Sequence, residues 1–278
     1  MSNNILFVFE GEKTEEQIVF NLQKHFVSQS PIIRCVYGAE IYQIYKDIVS
    51  DEDLDTFNLI KERYQIKNES LKDYTRDNFA EIYLFFDYDA HSTLADDDKL
   101  KKLLDFFNEE TNKGKMYISY PMVEALRHIS DYNTFKDVEV KCKGGNCRYK
   151  KDCENQEDCI NEPHYKEIAS KESSPQFCNI NRYTNTTWKE VIKAHLSKMS
   201  YIVTGKYEYP SKIETQLNIF SKQLEIHINK KCPKVSVLSA FPVFIHDYYG
   251  NKETKVLIGI DSTLQRLHDS TTPYLPIQ

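Results

Sequence analysis

The chain has 278 residues, of which 40% are apolar and 28% are charged, and its formal net charge is −6. This length allows one large domain or two small ones. Proteins devoted to nonspecific DNA binding usually carry a positive net charge, so any contact with nucleic acid must be local or supplied by a partner. No apolar run approaches the roughly 20 residues that cross a bilayer, and residues 1–4 lack the basic region of a signal peptide. We therefore expect a cytoplasmic protein without a membrane contact.

The first 130 residues alternate between strand-like and helix-like segments. Short apolar runs rich in β-branched and aromatic residues predict strands, at residues 5–9, 32–37, 81–86 and 115–120. Apolar residues spaced three or four apart predict helices, at residues 14–28, 40–49, 96–108 and 122–129. The polar residues 50–78 are interpreted as a helical insertion that lies over this domain. The order of these segments predicts an α/β domain over residues 1–130, with a parallel sheet between helices.

The pattern changes after residue 130. Residues 131–185 are polar, rich in cysteine and poor in apolar periodicity. Helices are predicted again at residues 188–197 and 211–228, and residues 235–246 form an apolar closing segment. We expect Trp188 to lie in the core. The sequence thus predicts a Cys-rich module over 131–185 and a helical C-terminal region over 186–278.

Two of the predicted strands end in acidic residues. Glu10 follows the strand at 5–9, and Asp87 and Asp89 follow the strand at 81–86. Because the carboxyl ends of parallel strands meet at one edge of a sheet, we expect these side chains to converge there. Clustered carboxylate oxygens suit a hard divalent cation such as Mg²⁺. A strand that ends in Asp-x-Asp is common without any chemistry, so the prediction depends on both motifs occurring together.

The order of these motifs resembles the Toprim fold. An apolar strand, Glu-Gly, a helix and then an apolar strand ending in Asp-x-Asp occur in topoisomerases, primases, OLD-type (overcoming-lysogenization-defect) nucleases and RloB-like proteins. Residues 10–15, with the sequence EGEKTE, look especially like the segment of OLD and RloB-like nucleases. Residues 120–124, YPMVE, are similar to a segment of RloB-like proteins and of the Toprim subunit of PARIS-type phage-defence systems. The resemblance covers about residues 5–130 and implies a Toprim-type parallel sheet flanked by helices.

The resemblance and the chemistry of the residues assign the same roles. The candidate ligands of one or two Mg²⁺ (or Mn²⁺) ions are five acids, namely Glu10, Glu15, Asp87, Asp89 and Glu124. The first metal would use Glu10 with the two aspartates, and Glu15 and Glu124 are candidates for the second. Glu10 is also the candidate general acid or base. Lys13 is a candidate catalytic residue that neutralises a phosphate oxygen, or it simply faces solvent, and His91 is placed to touch substrate.

Four cysteines fall within eighteen residues, at Cys142, Cys147, Cys153 and Cys159. Four thiolates bind Zn²⁺ tetrahedrally, and a metal would order a segment that lacks an apolar core. His164 or Cys178 could replace one ligand, and an iron–sulfur cluster or four free cysteines remain alternatives. Lysines and an arginine interleave with these cysteines. The segment is therefore either a contact for nucleic acid or a partner, or a solvated loop.

The combined motifs predict a metal-dependent endonuclease that cleaves DNA or RNA, for instance a tRNA. The resemblance implies a toxic effector of a prokaryotic antiviral defence system, controlled by a separate ATPase subunit, and homo-oligomers are compatible with it. No Walker motif occurs, so the chain itself does not hydrolyse ATP in the P-loop manner. Two alternatives stay open: a noncatalytic sensor or scaffold that docks on an ATPase, and a primase- or topoisomerase-like enzyme. The last has little room for the additional domains that it needs.

Overall fold

A sheet of five strands organises the computed structural model, which describes residues 4–11, 13–27, 32–50, 55–63, 71–143, 147 and 164–260. Its strands are β1 (Asn4–Phe9), β2 (Ile32–Val36), β3 (Phe79–Asp87), β4 (Asn108–Glu109) and β5 (Gly114–Ser119). The spatial order is β2-β1-β3-β5-β4, and only β4 runs antiparallel to its neighbour. The prediction of an α/β fold with a mostly parallel sheet between helices is confirmed. The two-residue strand β4 is too short to leave a sequence pattern and was not predicted.

The helices of the described residues are α1 (Thr14–His25), α2 (Ile41–Ser50), α3 (Thr56–Arg63), α4 (Asp97–Phe106), α5 (Tyr165–Glu172), α6 (Asn185–Thr204), α7 (Gln216–Gln223), α8 (Ala240–Tyr249) and α9 (Asn251–Leu257). Local signals explain where α4 begins. The carboxylate of Asp96 accepts hydrogen bonds from the backbone N–H groups of Asp98 and Lys99, at 3.0 and 3.1 Å. This is the standard side-chain cap of a helix N-terminus. The buried leucines Leu100, Leu103 and Leu104 then form the apolar stripe.

Three predicted segments differ from the structure. Residues 122–129 form a 3₁₀ helix at Val123–Arg127 instead of an α-helix. The helix predicted over 211–228 is α7 followed by a π-helical turn at Leu224–Ile228. The apolar segment 235–246 divides into a strand, β7 (Lys234–Ser236), and α8. In each case the apolar run alone did not determine which type of secondary structure the segment forms.

The described part of residues 131–185, which the sequence predicts to be a Cys-rich module, is more regular than its polarity suggests. It contributes β6 (Glu139–Lys141), which pairs antiparallel with β7, and the helix α5. A single helical turn at Pro175–Cys178 follows. These elements are short and depend on contacts with residues far along the chain, which is why periodicity does not reveal them.

The C-terminal helices complete the core on one face of the sheet. The ring of Phe241 on α8 stacks on that of Phe85 on β3, with centroids 4.8 Å apart and planes at 6°. Phe244 meets Phe7 of β1 edge to face at 5.2 Å. Trp188 is fully buried and donates from Nε1 to Oδ1 of Asn21 over 2.7 Å, which confirms its core position. The boundaries at 130 and 185 remain predictions.

No helix within the described ranges is both long and apolar enough to cross a bilayer.

Candidate active site

Glu10 and Asp87 lie side by side at the carboxyl edge of the sheet. Strand β1 pairs in parallel with β3, with Phe9 opposite Phe85, so both strands present their next residues to one edge. The backbone N–H of Asp87 donates to Oε2 of Glu10 over 3.2 Å. The backbone N–H of Glu10 donates to the carbonyl of Phe85 over 3.3 Å. The structure thus brings together the two acids that follow the predicted strands.

Asp89 lies beside the same pair. Its side chain is buried, and its negative charge acts on Glu10. Nε2 of His91 is 3.9 Å from Oδ1 of Asp89, and the His91 side chain is 64% exposed. His91 therefore lies on the solvent side of these acids.

Glu15 and Glu124 form a second acidic group next to the first. Oε1 of Glu15 accepts from the backbone N–H of Gly11 over 3.2 Å, which holds the start of α1 against the end of β1. Glu124 is 3% exposed, and its Oε2 has no hydrogen-bond partner among the described residues. The charges of Glu15 and Glu124 both act on Asp87. All five acids predicted from the sequence therefore belong to one cluster, which we call the acidic cluster.

Lys166 is a residue of this site that the sequence analysis did not identify. Its Nζ lies 3.4 Å from Oε1 of Glu124, and it lines the same cleft as Glu10 and Lys13. Lys166 belongs to α5, within the segment expected to have little regular structure. No motif marks it, because it is one lysine among many in a polar segment.

Burial raises the pKa values of four acids in this cluster, and repulsion between them adds to the rise at Glu10 and Asp87. The pKa of Glu10 rises to about 8, first because the side chain is buried and second because Asp89 is negatively charged. Burial raises the pKa of Asp87 well above its ordinary value, and repulsion from Glu10 adds to the rise. Burial likewise raises the pKa values of Glu15 and Asp89. A cation placed among these acids would lower all four pKa values, because it would favour the ionised forms.

The acidic cluster opens into a cleft of about 620 Å³. Two lysines, Lys13 and Lys166, line it together with four carboxylates, of Glu10, Glu15, Glu40 and Asp87. Lys13 lines the cleft and is exposed to solvent, so its role stays a prediction. A lining with more acids than lysines repels a phosphate, so an anionic substrate requires additional positive charge in this cleft.

The chemistry of these donors fits a hard divalent cation. Mg²⁺ and Mn²⁺ prefer carboxylate oxygens, which is what the acidic cluster offers. The unpartnered Oε2 of Glu124 is a buried oxygen that a cation would satisfy. Within the residues that the structure describes, no three His, Cys, Asp or Glu side chains are arranged as a ready metal centre. Binding would therefore require rotation of side chains within the cluster.

The cysteines form a separate group at the end of β6. Cys142 is buried, and the thiols of Cys147 and Cys232 both interact electrostatically with it. Cys232, just before β7, was not part of the predicted cluster and is brought there by the pairing of β6 with β7. Cys178 instead donates from Sγ to the carbonyl of Ser174 over 3.5 Å. Cys153 and Cys159 lie outside the described residues, so the predicted four-cysteine site stays a prediction.

Comparisons with protein-family models, with curated proteins and with solved structures found no match to this chain. The resemblance to Toprim nucleases therefore rests on the sequence motifs alone.

Proposed function

We propose that this protein is an Mg²⁺- or Mn²⁺-dependent nuclease of the Toprim type that hydrolyses phosphodiester bonds of DNA or RNA. The observation that carries the proposal is the hydrogen bond between Glu10 and the backbone of Asp87, because it joins the two motifs within one cluster of buried acids. Buried carboxylates with raised pKa values in a cleft are a signature of functional sites. A purely structural role gives no reason to bury so many like charges together.

The residues of the cleft divide the chemistry between them. A divalent cation, when bound, supplies a Lewis acid and lowers the pKa of water. Glu10 would accept the proton of the attacking water, since a bound cation would favour its ionised form. Lys166 and Lys13 would offset negative charge on the phosphate oxygens, because both line the cleft. His91 would contact the nucleic acid from the solvent side.

The charge of the cleft supports a cation that binds before the substrate. The cleft lining holds more carboxylates than lysines and the whole chain carries a net charge of −6, so the protein alone repels a polyanion once these carboxylates are ionised. With cations bound, the local potential is reversed. We therefore expect binding of nucleic acid to depend on the divalent cation, and not only its cleavage.

A cleavage assay tests the proposed function. The purified chain is incubated with supercoiled plasmid, linear duplex DNA, single-stranded RNA and tRNA, with Mg²⁺, with Mn²⁺ or with EDTA. We expect cation-dependent cleavage of at least one substrate. Glu10→Gln and Asp87→Asn should each lower the rate by at least about 100-fold, the scale on which single electrostatic groups contribute to catalysis.

The matched control is Asp105→Asn, which neutralises an exposed acid on α4 outside the cleft and should leave the rate unchanged. Equal activity of the wild type, Glu10→Gln and Asp87→Asn would refute catalysis at this site and favour the noncatalytic scaffold. Relaxation of the plasmid without cleavage, or primer synthesis, would favour the topoisomerase- or primase-like alternative.

The resemblance also leads us to propose a biological setting: a cytoplasmic toxic effector of antiviral defence that an ATPase partner controls. An ATPase encoded next to this chain would be the partner to test. We expect the wild type, but not Glu10→Gln, to be toxic when the ATPase is triggered, and growth curves of cells that express both chains measure this. Equal toxicity of the two forms would contradict the proposal.

We further propose a structural Zn²⁺ at the cysteine group. Cys142 and Cys147 were expected ligands, and the position of Cys232 supports its inclusion. Thiolates prefer Zn²⁺ to the harder cations that suit the acidic cluster, so the two sites would bind different metals.

A further inference from the structure

Tyr88, between the two aspartates of the acidic cluster, has a contact on the other side of the strand. Its side chain is 1% exposed, and its hydroxyl donates to Oδ1 of Asp97 over 2.7 Å. Asp97 is the first residue of α4. A partly buried hydrogen bond therefore joins the end of β3 to the N-terminal end of α4.

The second oxygen of Asp97 binds a residue from a distant part of the chain. Nζ of Lys143 lies 2.6 Å from Oδ2 of Asp97, and the two side chains are 21% and 22% exposed. Lys143 follows β6 and the buried Cys142. A partly buried, charge-assisted hydrogen bond of this length is among the stronger polar contacts in proteins. One carboxylate thus connects the end of β6 with the segment that carries Asp87 and Asp89.

The backbone hydrogen bonds of residues 88–90 link the orientation of Asp89 to the position of Tyr88. The N–H of Tyr88 still donates to the carbonyl of Ser119 on β5, over 2.9 Å. The N–H of Ala90 donates to the carbonyl of Tyr88 over 2.8 Å, so the chain turns away from the sheet directly after Tyr88. The orientation of Asp89 beyond the turn is therefore set by how firmly Tyr88 is held.

Two further tyrosine hydroxyls lie in the surroundings of Asp97. The hydroxyls of Tyr42 and Tyr120 are buried and have no hydrogen-bond partner among the described residues. Both tyrosines interact electrostatically with Asp97. Because Lys143 and Tyr88 bind the two oxygens of the same carboxylate, removal of Lys143 should free Asp97 to rotate and should loosen its contact to Tyr88.

We propose that Lys143, Asp97 and Tyr88 are positioning residues, through which the end of β6 sets the geometry of Asp87 and Asp89. The inference rests on the proposed function and deepens it. Residues that orient metal ligands without touching the metal commonly change its affinity by 10- to 100-fold. The three residues would therefore act on cation binding itself, before any step of cleavage.

Calorimetric titration with Mn²⁺ tests this proposal. We expect Lys143→Met, Asp97→Asn and Tyr88→Phe each to weaken Mn²⁺ binding by about tenfold. Lys143→Arg keeps the charge and should change the affinity by less than about threefold. The control is Lys101→Met, which removes an exposed lysine on α4 that pairs with Asp98 at 3.3 Å, and which should bind like the wild type.

Amide hydrogen exchange gives a readout that does not depend on the metal. We expect the peptide over residues 86–92 to exchange faster in Lys143→Met than in the wild type, and Lys101→Met to leave it unchanged. If Lys143→Met does not fold, the same measurement on Tyr88→Phe tests the positioning role, because this substitution removes only one hydroxyl.

Two results would overturn the inference in distinguishable ways. If the wild type binds Mn²⁺ and loses it in Asp87→Asn, but Lys143→Met and Tyr88→Phe bind as the wild type does, the positioning role is wrong and the proposed function stands. If the wild type binds no Mn²⁺, or binds it equally well after Asp87→Asn, the proposed function fails and takes the inference with it.

Discussion

Glu10 is half-buried next to Asp89, and this arrangement makes the stability of the metal-free protein depend on pH. The pKa of Glu10 is about 8 in the folded chain and 4.5 in an unperturbed glutamate. Between these values the folded state binds a proton that the unfolded state has lost. Protonated Glu10 therefore adds to the free energy of unfolding. This stabilisation is complete below pH 4.5, and it is lost as the pH rises through about 8.

We therefore expect Glu10→Gln to reduce the pH dependence of stability in EDTA. Between pH 6 and pH 8, the free energy of unfolding of the wild type should fall by about 2 kcal/mol more than that of the variant. Urea denaturation at the two pH values measures this. Parallel pH profiles of the two proteins would show that Glu10 does not titrate in this range.

The positive charge of Lys166 should contribute to cleavage. Its amine lies beside Glu124 in the cleft, so Lys166→Met should lower kcat/KM for cleavage by about tenfold through the loss of positive charge near the phosphate. Lys171→Met, on the same helix and exposed to solvent, is the control. Equal losses in the two variants would show that the effect is only one of general charge.

The positions of site residues that follow a strand could be predicted from the sequence, and the positions of the other site residues could not. Glu10, Asp87 and Asp89 follow apolar runs, and the parallel arrangement of strands places such residues at one edge. Lys166 and Tyr88 reach the site region through contacts that no local pattern encodes. The same is true of Cys232, whose position depends on the pairing of β6 with β7.

At the scale of elements, Gly114 explains how β5 enters the sheet between β3 and β4. It has φ = +106°, and a Cβ there would lie 2.7 Å from Cδ1 of the buried Leu84. Gly114→Ala should destabilise the protein by about 2–3 kcal/mol through strain and overpacking. Gly205→Ala, at φ = +77° with no atom within 4 Å, should cost only about 1 kcal/mol. Thermal denaturation of both variants separates the two effects, and equal losses would contradict the account of β5.

The pairing of β6 with β7 yields a prediction about metal content. We expect the wild type, purified without chelators, to contain about one Zn²⁺ per chain, and Cys232→Ser to contain much less. Cys178→Ser should retain the metal, because that thiol already donates to a backbone carbonyl. Elemental analysis measures this, and equal zinc in Cys232→Ser and the wild type, or none in either, would contradict it.

Helices and strands with a clear apolar periodicity could be predicted from the sequence, and elements of only a few residues could not. The four longer strands and α1, α2 and α4 follow from apolar spacing. The 3₁₀ helix at Val123–Arg127 was expected as an α-helix, because a short apolar run fits both. Strands β4, β6 and β7 have at most three residues, and tertiary contacts alone specify them.

At the scale of the whole molecule, the aromatic contacts of α8 join the C-terminal region to the sheet that carries the acidic cluster. Phe241 stacks on Phe85, two residues before Asp87. Phe241→Ala should lower the free energy of unfolding by about 3–5 kcal/mol, as large truncations in a core do. Phe20→Ala, at a side chain that is 67% exposed, should change it by less than about 0.5 kcal/mol. Denaturant unfolding compares them, and similar losses would show that α8 does not support the sheet.

We propose that the acids at the carboxyl edge of the sheet bind a divalent cation for phosphodiester hydrolysis. Anomalous diffraction from crystals soaked in Mn²⁺ tests it most directly, because it locates the ion. The account predicts a peak within coordinating distance of Glu10 and Asp87 that disappears in Glu10→Gln crystals. Strong Mn²⁺ peaks elsewhere with none in this cleft, or a peak that persists unchanged in the variant, would contradict the account.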